Sequence, residues 1–333
     1  MTVAHADDHS ALFPGMGFLS AASGFRFLDE CSDGIFKLGR DNVSAIAATG
    51  DGMVEFIAFP ERSLAYVRSK LGYPAYYPVL PVAIERPVKA VLMDLDGTTV
   101  RSEGFWIWII QKTVSDLLGK PHFELSADDL PFVSGHSVSE HLSYCLAKYC
   151  PGTSIENARA RYFRNTHYEM EQIMQGRGRV GVFTPTEGVK EFLLELKARR
   201  IKIGLVTSGL YEKAYPEILS AFRSLDMGDP AEFYDCIITA GFPLRKGAAG
   251  TLGELGPKPH PWLYAEAGNV GLGIAFGERN SLIGIDDSGA GVCSVRLAGY
   301  PTFGIAGGNI EASGTIGLCQ RYCRNLSEIL SEI

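Results

Sequence analysis

Short apolar runs alternate with amphipathic segments over the second half of the chain. Runs that lack internal alternation, such as residues 90–93 and 201–206, are typical of strands buried on both faces of a parallel sheet. Between two such strands, residues 187–197 repeat apolar side chains at the spacing of one helix face. Strand–helix alternation of this kind predicts an α/β fold, a Rossmann-like doubly wound parallel sheet with helices on both faces.

The same pattern predicts the remaining elements of this half. We expect further strands over residues 234–239, 282–287 and 302–305, a crossover helix over 211–225, and a terminal helix from Leu326. Cys319 and Cys323 are four residues apart, which predicts one packed face of a helix rather than a metal site, because no histidine lies nearby.

An inserted segment, residues 101–183, predicts helices instead of strands. Residues 105–118 are apolar around most of the helix surface, which indicates a buried helix. Residues 137–149 carry apolar side chains at helical spacing, and residues 155–174 form a longer, polar and aromatic pattern.

Residues 1–86 predict a separate α+β extension. Strands are expected over residues 35–38, 43–49 and 53–59, the last two joined by a turn at Asp51-Gly52. A short helix is expected over residues 63–71. No function follows from this segment, and a structural or oligomerising role is favoured over substrate contact.

Charge and composition exclude several partners. The net charge of −7 argues against a nucleic-acid backbone, and no apolar run approaches the roughly 20 residues of a membrane span. The N-terminal residues show no secretory signal. Seven cysteines, odd in number and widely spread, predict reduced thiols and a cytoplasmic protein.

Acidic residues follow two of the predicted strands. Asp94 and Asp96 come directly after the run at 90–93, and Asp286 and Asp287 end the strand at 282–287. Ligands bind at the carboxyl ends of strands in such sheets. Carboxylates gathered there repel one another and lose hydration, so they need a cation or a shared proton. Taken alone, the Asp-Leu-Asp-Gly stretch is also typical of an acidic turn.

Four stretches occur in a fixed order: Asp94-Leu-Asp96-Gly97-Thr98, Thr207-Ser208-Gly209, Lys258 between two prolines, and Asp286-Asp287-Ser288-Gly289. Together they resemble the motifs of the haloacid dehalogenase-like (HAD) hydrolase superfamily over residues 87–306. The resemblance implies a catalytic core of residues 87–100 and 184–333, interrupted by a helical cap at 101–183. The extension at 1–86 lies outside it.

The resemblance also implies residue roles. Asp94 matches the nucleophile that forms an aspartyl phosphate, and Asp96 matches the acid/base that protonates the leaving oxygen and then activates water. Thr207 matches the residue that binds a phosphate oxygen, with the Ser208 and Gly209 amides adding contacts at a helix N-terminus. Lys258 matches the lysine that holds nucleophile and phosphate together.

Excess negative charge at this site favours a hard divalent cation, and oxygen ligands suit Mg²⁺. Asp94, Asp287 and the main-chain oxygen of Asp96 resemble the usual ligand set, with Asp286 acting directly or through water. In the cap, residues 133–139 resemble a loop that reaches toward the substrate. His136 then binds the leaving group, although an exposed histidine in a helix-capping loop fits the pattern equally well.

The resulting expectation is a Mg²⁺-dependent phosphatase acting on a small phosphorylated metabolite, with no nucleic-acid or membrane partner. The alternative is a β-phosphoglucomutase-like sugar phosphomutase. Asp96 argues against a dehalogenase. A phosphonate hydrolase requires a cap lysine that acts as an amine nucleophile. The cap contains Lys112, Lys120 and Lys148, and none lies in a sequence context recognisable for that role. A non-catalytic binding module also stays open, as does homo-oligomerisation through the extension.

Overall fold

The structure is a computed structural model that describes residues 10–68, 74–133, 138–179, 181–241 and 256–333. The chain divides into two compact units. The first unit contains Met1–Thr98, Glu187–Ser208 and Ala231–Ile333, and the second contains Thr99–Thr186 and Gly209–Pro230. The division into core, cap and extension made from the sequence stays a prediction.

The N-terminal part of the first unit is built from antiparallel strands. The strands are β1 (Ser10–Phe13), β2 (Gly17–Ser20), β3 (Arg26–Phe27), β4 (Ala45–Ala48), β5 (Val54–Ala58), β6 (Ser63–Val67) and β7 (Ala75–Val79). The first two form a hairpin, and β3 to β7 form a five-stranded sheet in sequence order. The predicted hairpin at Asp51-Gly52 is confirmed by the pairing of β4 with β5.

Two predictions for this extension are wrong. Residues 63–67 of the expected helix form β6, because Ala65 and Val67 pack into one apolar cluster while Leu64 and Tyr66 pack into another. Burial of alternate residues on opposite faces is the period of a strand. The expected strand over residues 35–38 is reduced to an isolated bridge between Glu30 and Lys37.

The central sheet of the first unit has six strands. The strands are β8 (Ala90–Asp94), β11 (Lys202–Leu210), β12 (Cys236–Gly241), β13 (Leu282–Asp286), β14 (Thr302–Ile305) and β15 (Arg321–Cys323). Their order is β12-β11-β8-β13-β14-β15, and β11, β8, β13, β14 and β15 run parallel. This sheet confirms the Rossmann-like α/β fold, with β8 in its interior.

The strand β15 replaces the helix expected around Cys319 and Cys323. Cys323 is buried at the end of β15 and pairs with Ile305 of β14, so sheet pairing overrides the helical spacing of the two cysteines. All seven cysteines lie among the described residues, and none forms a disulfide.

The helices that accompany the sheet include the one expected over residues 187–197 and the terminal helix expected from Leu326. They are α5 (Val189–Ala198), α7 (Pro230–Phe233), α8 (Trp262–Ala265), which continues as a π-helix to Gly271, α9 (Gly289–Leu297) and α10 (Leu326–Glu332). The hairpin, the five-stranded sheet and α9 share one buried apolar cluster, to which they contribute Phe13, Phe56 and Val292 respectively.

The second unit is helical. It contains α1 (Glu103–Leu118), α2 (Leu130–Val133), α3 (Val138–Tyr149), α4 (Ile155–Met174) and α6 (Tyr211–Ser224), with the short pair β9 (Val100–Arg101) and β10 (Thr184–Pro185). The helices expected in the insertion are confirmed. Helix α6 groups with them because Arg223 donates to the carbonyl oxygens of Ile173 at 2.8 Å and Met174 at 3.2 Å. Across the described ranges, no helix combines the length and apolarity needed to cross a membrane.

Candidate active site

The site begins at the carboxyl end of β8. Asp94 is the last residue of that strand and is buried, because β11 and β13 pair with β8 on either side. The chain then turns through Gly97, whose φ of +89° is left-handed. Asp96 lies in this turn with its side chain exposed to solvent. The two acids predicted to share one reaction therefore occupy different environments.

Lys258 connects two of the strand ends. Its ammonium group donates to Asp94 Oδ1 and, at 2.7 Å, to Asp286 Oδ2. Its backbone amide donates to Ser208 Oγ at 3.1 Å. Burial opposes the charge on Lys258, but the Asp286 and Asp94 carboxylates outweigh burial and raise the lysine pKa above its ordinary value. The ammonium group is thus held charged between two carboxylates.

Asp286 is anchored by four hydrogen bonds. Besides Lys258, Tyr264 donates its hydroxyl proton to Asp286 at 2.7 Å, and Ser288 donates both its amide at 2.9 Å and its hydroxyl at 2.8 Å. A Cβ at Gly291 would lie 1.9 Å from the Asp286 carboxyl group, so the first turn of α9 also closes on it. A carboxylate held in this way fixes the position of Lys258.

Tyr264 is a site residue that the sequence reasoning missed. It lies in α8, six positions after Lys258, and is fully buried. Burial and the nearby Asp286 carboxylate raise its pKa well above the ordinary value, so the hydroxyl keeps the proton that it donates. Its contact with Asp286 forms only when α8 packs against the end of β13, so no local pattern of the sequence points to it.

Asp287 lies on the other side of the strand end. Its carboxylate accepts a hydrogen bond from the Thr98 hydroxyl at 3.3 Å and is mostly buried. Burial, followed by repulsion from Asp286, raises the pKa of Asp287 to about 7. Burial also raises the pKa of Asp94, against the opposing effect of Lys258. Repulsion from neighbouring carboxylates adds to both shifts, because one lysine faces three buried carboxylates.

The charge and the ligand chemistry fit a metal ion. Carboxylate oxygens of Asp94, Asp286 and Asp287 all lie within 4.8 Å of one another, and all three residues are buried. Oxygen-only donors with excess negative charge suit a hard divalent cation. The exposed carboxylate of Asp96 is not part of this group, which leaves its predicted main-chain contribution as a prediction.

The second motif reaches the same edge. Val206 pairs with Asp94 across β11 and β8, and Thr207 follows it as a buried residue. However, β11 extends to Leu210 and α6 begins only at Tyr211. The expected placement of Ser208 and Gly209 at the N-terminus of a helix is therefore wrong, because the strand continues through them. Their phosphate-binding role stays a prediction. His136 lies outside the described residues.

Comparisons with known proteins agree with this geometry. Residues 91–227 match the family described as haloacid dehalogenase-like hydrolase. A sequence search of curated proteins gave no match.

Similar solved structures cover about three quarters of the chain. A predicted phosphoglycolate phosphatase from Haemophilus somnus 129PT has 17% identity and a TM-score of 0.54, covering 73% of this chain and 97% of its own. CbbY from Rhodobacter sphaeroides, solved with phosphate, has 16% identity and a TM-score of 0.51, covering 73% and 96%. A putative β-phosphoglucomutase from Thermotoga maritima has 20% identity and a TM-score of 0.51, covering 74% and 99%. At such identities these neighbours show the shared fold.

Proposed function

Because residues 91–227 match the haloacid dehalogenase-like hydrolase family, we propose that the chain belongs to this family and is a Mg²⁺-dependent phosphatase that hydrolyses a small phosphorylated metabolite through an aspartyl phosphate. The observation that carries this proposal is the pair of hydrogen bonds that Lys258 donates to Asp94 and Asp286 at the carboxyl edge of the sheet. A buried carboxylate paired with a fixed cation suits a nucleophile that must approach an anionic phosphoryl group.

The first half of the reaction uses Asp94 and Asp96. An Asp94 carboxylate oxygen attacks phosphorus, and the bond from phosphorus to the ester oxygen breaks. Asp96 gives its proton to that departing oxygen, so the product leaves as an alcohol. The exposure of Asp96 supports this role, because the group must reach an oxygen of the substrate. Asp94 then carries the phosphoryl group.

In the second half, Asp96 removes a proton from water as the water oxygen attacks phosphorus. The bond between Asp94 and phosphorus breaks, which releases phosphate and regenerates the carboxylate. Lys258 lies beside Asp94 throughout and offsets the charge of the phosphoryl oxygens. Thr207, Ser208 and Gly209 are proposed to hold those oxygens, and His136 to contact the leaving group.

Asp94, Asp287 and the main-chain oxygen of Asp96 are the proposed Mg²⁺ ligands. When bound, the ion offsets the repulsion between the nucleophile and the phosphoryl oxygens. Asp286 already accepts hydrogen bonds from Lys258, Tyr264 and Ser288, so we assign it a supporting role. Chelation should abolish activity and Mg²⁺ should restore it, whereas Ca²⁺ should inhibit because its coordination is larger and looser.

A phosphate-release screen tests the proposal. The full chain is incubated with Mg²⁺ and a panel of sugar phosphates, nucleotides and other phosphomonoesters, with Asp94→Asn as the inactive control. A phosphatase releases phosphate in proportion to the substrate consumed. A phosphomutase converts a sugar 1-phosphate to the 6-phosphate faster than it releases phosphate, and it needs a bisphosphate primer. Full activity after exhaustive metal removal would contradict the metal assignment.

A further inference from the structure

Strand β7 of the N-terminal extension contacts the loop that carries Lys258. The Tyr77 hydroxyl and His260 Nδ1 are hydrogen-bonded at 2.8 Å. The Tyr77 ring also meets the His260 and Trp262 rings edge-on, with centroids 5.9 Å and 6.0 Å apart. His260 is two residues beyond Lys258, so a segment outside the family resemblance packs directly against the third motif.

The lysine loop depends on a small set of contacts. Between Gly256 and the start of α8 it has no regular structure. Ser294 of α9 donates to the carbonyl oxygen of His260 at 2.6 Å, and the amide of Lys258 donates to Ser208. Tyr77 adds a contact from the extension. Burial lowers the pKa of His260, which keeps the ring neutral at neutral pH and available to the tyrosine hydroxyl.

A second contact ties the extension to the fourth motif. The amide of Gly50 donates to the carbonyl oxygen of Ser313 at 2.7 Å. In the same segment, Asn309 Oδ1 accepts a hydrogen bond from the amide of Gly289 at 2.8 Å, at the first turn of α9. The extension therefore contacts both the loop that carries Lys258 and the segment whose Asn309 bonds the first turn of α9.

We propose that Tyr77 positions Lys258, and that the N-terminal extension thereby contributes to catalysis. Tyr77 does not touch the reacting atoms and acts through His260. The inference rests on the proposed function in one respect, the role of Lys258 in offsetting the charge of the phosphoryl oxygens. The position of the lysine itself can be measured without turnover.

The test compares two neighbouring tyrosines of β7. Tyr77→Phe removes the hydroxyl that meets His260. Tyr76→Phe removes a hydroxyl group of the same strand that donates to Asp33. The Tyr76 ring packs with Phe36 and Tyr66, so its contacts lie inside the extension. Because the change deletes the hydrogen bond between Tyr77 and His260, we expect Tyr77→Phe to lower kcat/KM for an aryl phosphate about 5–10-fold. Inhibition by orthovanadate, a phosphate mimic, should weaken by a similar factor, and Tyr76→Phe should change neither.

A double-mutant cycle shows whether the effect passes through the lysine. In a Lys258→Ala background, Tyr77→Phe should leave the residual rate unchanged, because the group that it positions is absent. Equal losses in Tyr76→Phe and Tyr77→Phe overturn the inference. So does a Tyr77→Phe loss that persists in full without Lys258.

Chemical labelling separates this inference from the proposed function. Lys258 has a 7% exposed side chain, whereas that of Lys89 in the same unit is 47% exposed and serves as the internal reference. Acetic anhydride labelling, read by mass spectrometry, should modify Lys258 at least about fivefold faster in Tyr77→Ala than in the wild type. Faster labelling in a chain that hydrolyses no phosphoester contradicts the function and supports the positioning. Unchanged labelling together with an unchanged rate in an active enzyme overturns the positioning.

Discussion

Gly97 lies directly against the carboxylate of Asp287: a Cβ at position 97 would be 2.2 Å from Asp287 Oδ2. The turn that contains Gly97 therefore leaves no room for a side chain beside the Asp287 carboxylate. Gly308 approaches the same carboxylate from the other side, where a Cβ would be 2.4 Å from Oδ2. Position 97 also has a φ of +89°, a conformation that other residues adopt at a cost.

Gly97→Ala should therefore inactivate the enzyme. The added methyl group displaces Asp287, and misplacement of a site group by about 1 Å can cost on the order of 100-fold in rate. The matched control is Gly104→Ala in α1, where a Cβ would meet no atom within 4 Å. Steady-state phosphate release and a circular dichroism spectrum check both variants. Wild-type activity in Gly97→Ala would show that Asp287 is not needed in its observed position.

Asp94→Asn and Asp96→Asn should fail at different steps. Without the Asp94 carboxylate, no phospho-enzyme should form with any substrate. Asp96→Asn keeps the nucleophile but loses about 10²–10⁴ in rate, and the loss should be smaller for aryl or acyl phosphates, whose leaving oxygens need little protonation.

Mass spectrometry after rapid quench checks the Asp96 assignment. With an aryl phosphate, Asp96→Asn should accumulate a phosphoryl group on Asp94, because no base activates the water that would release it. An equal loss for every leaving group would contradict the acid role and leave Asp96 as a residue of the turn or metal site.

The neighbouring acids Asp286 and Asp287 should differ in what their substitution changes. Asp287→Asn removes a proposed ligand, so the Mg²⁺ concentration needed for half-maximal activity should rise steeply. Asp286→Asn loosens Lys258 and Tyr264, and loss of such a supporting partner typically costs about 10–100-fold. That cost should appear mainly in kcat. A magnesium titration of each variant separates them, and identical magnesium dependence would contradict the division of roles.

Stability and metal binding should respond to pH in opposite directions. The folded-state pKa of Asp287 is raised from an ordinary 3.8 to about 7, so the native state favours its protonated form. That contribution to stability is complete below about pH 3.8 and is lost as pH rises through about 7. Magnesium requires the deprotonated form, so its effect on Tm should be larger at about pH 8 than at about pH 5.5.

Differential scanning fluorimetry with and without Mg²⁺ measures this difference across the pH range. Asp287→Asn, which has no proton to displace at this position, provides the control. A magnesium effect on Tm that stays constant from acidic to alkaline pH in the wild type would show that Asp287 does not couple proton and metal binding.

The parts that the sequence predicts well depend on local pattern. An apolar run followed by an acid marks β8 and β13, and the strand order then brings Asp94, Asp286 and Asp287 to one edge. Tyr264 and Tyr77 could not be found in this way, because their contacts with Asp286 and His260 arise only when separate elements pack. In the local sequence pattern, a tyrosine at either position cannot be told from an ordinary apolar residue.

In two segments the local sequence pattern predicts a helix where the structure has a strand. Residues 63–67 have the length and composition of a short helix, but β5 and β7 offer backbone partners on both sides. Cys319 and Cys323 have helical spacing, but β14 offers an edge for β15. In both cases a partner distant in sequence decides the structure, and local propensity is the weaker term.

The cluster shared by the five-stranded sheet and α9 affects the order in which the chain acquires structure during synthesis. Phe13 and Phe56 are made long before Val292, Leu297 and Leu318, with which they share one buried apolar cluster. The strands of the extension keep an apolar face exposed to water until that later segment has been made. Such long-range closure slows folding and favours aggregation of unfinished chains. Ribosome-bound chains that stop before residue 292 should therefore bind chaperones more tightly than chains that extend well beyond Leu318.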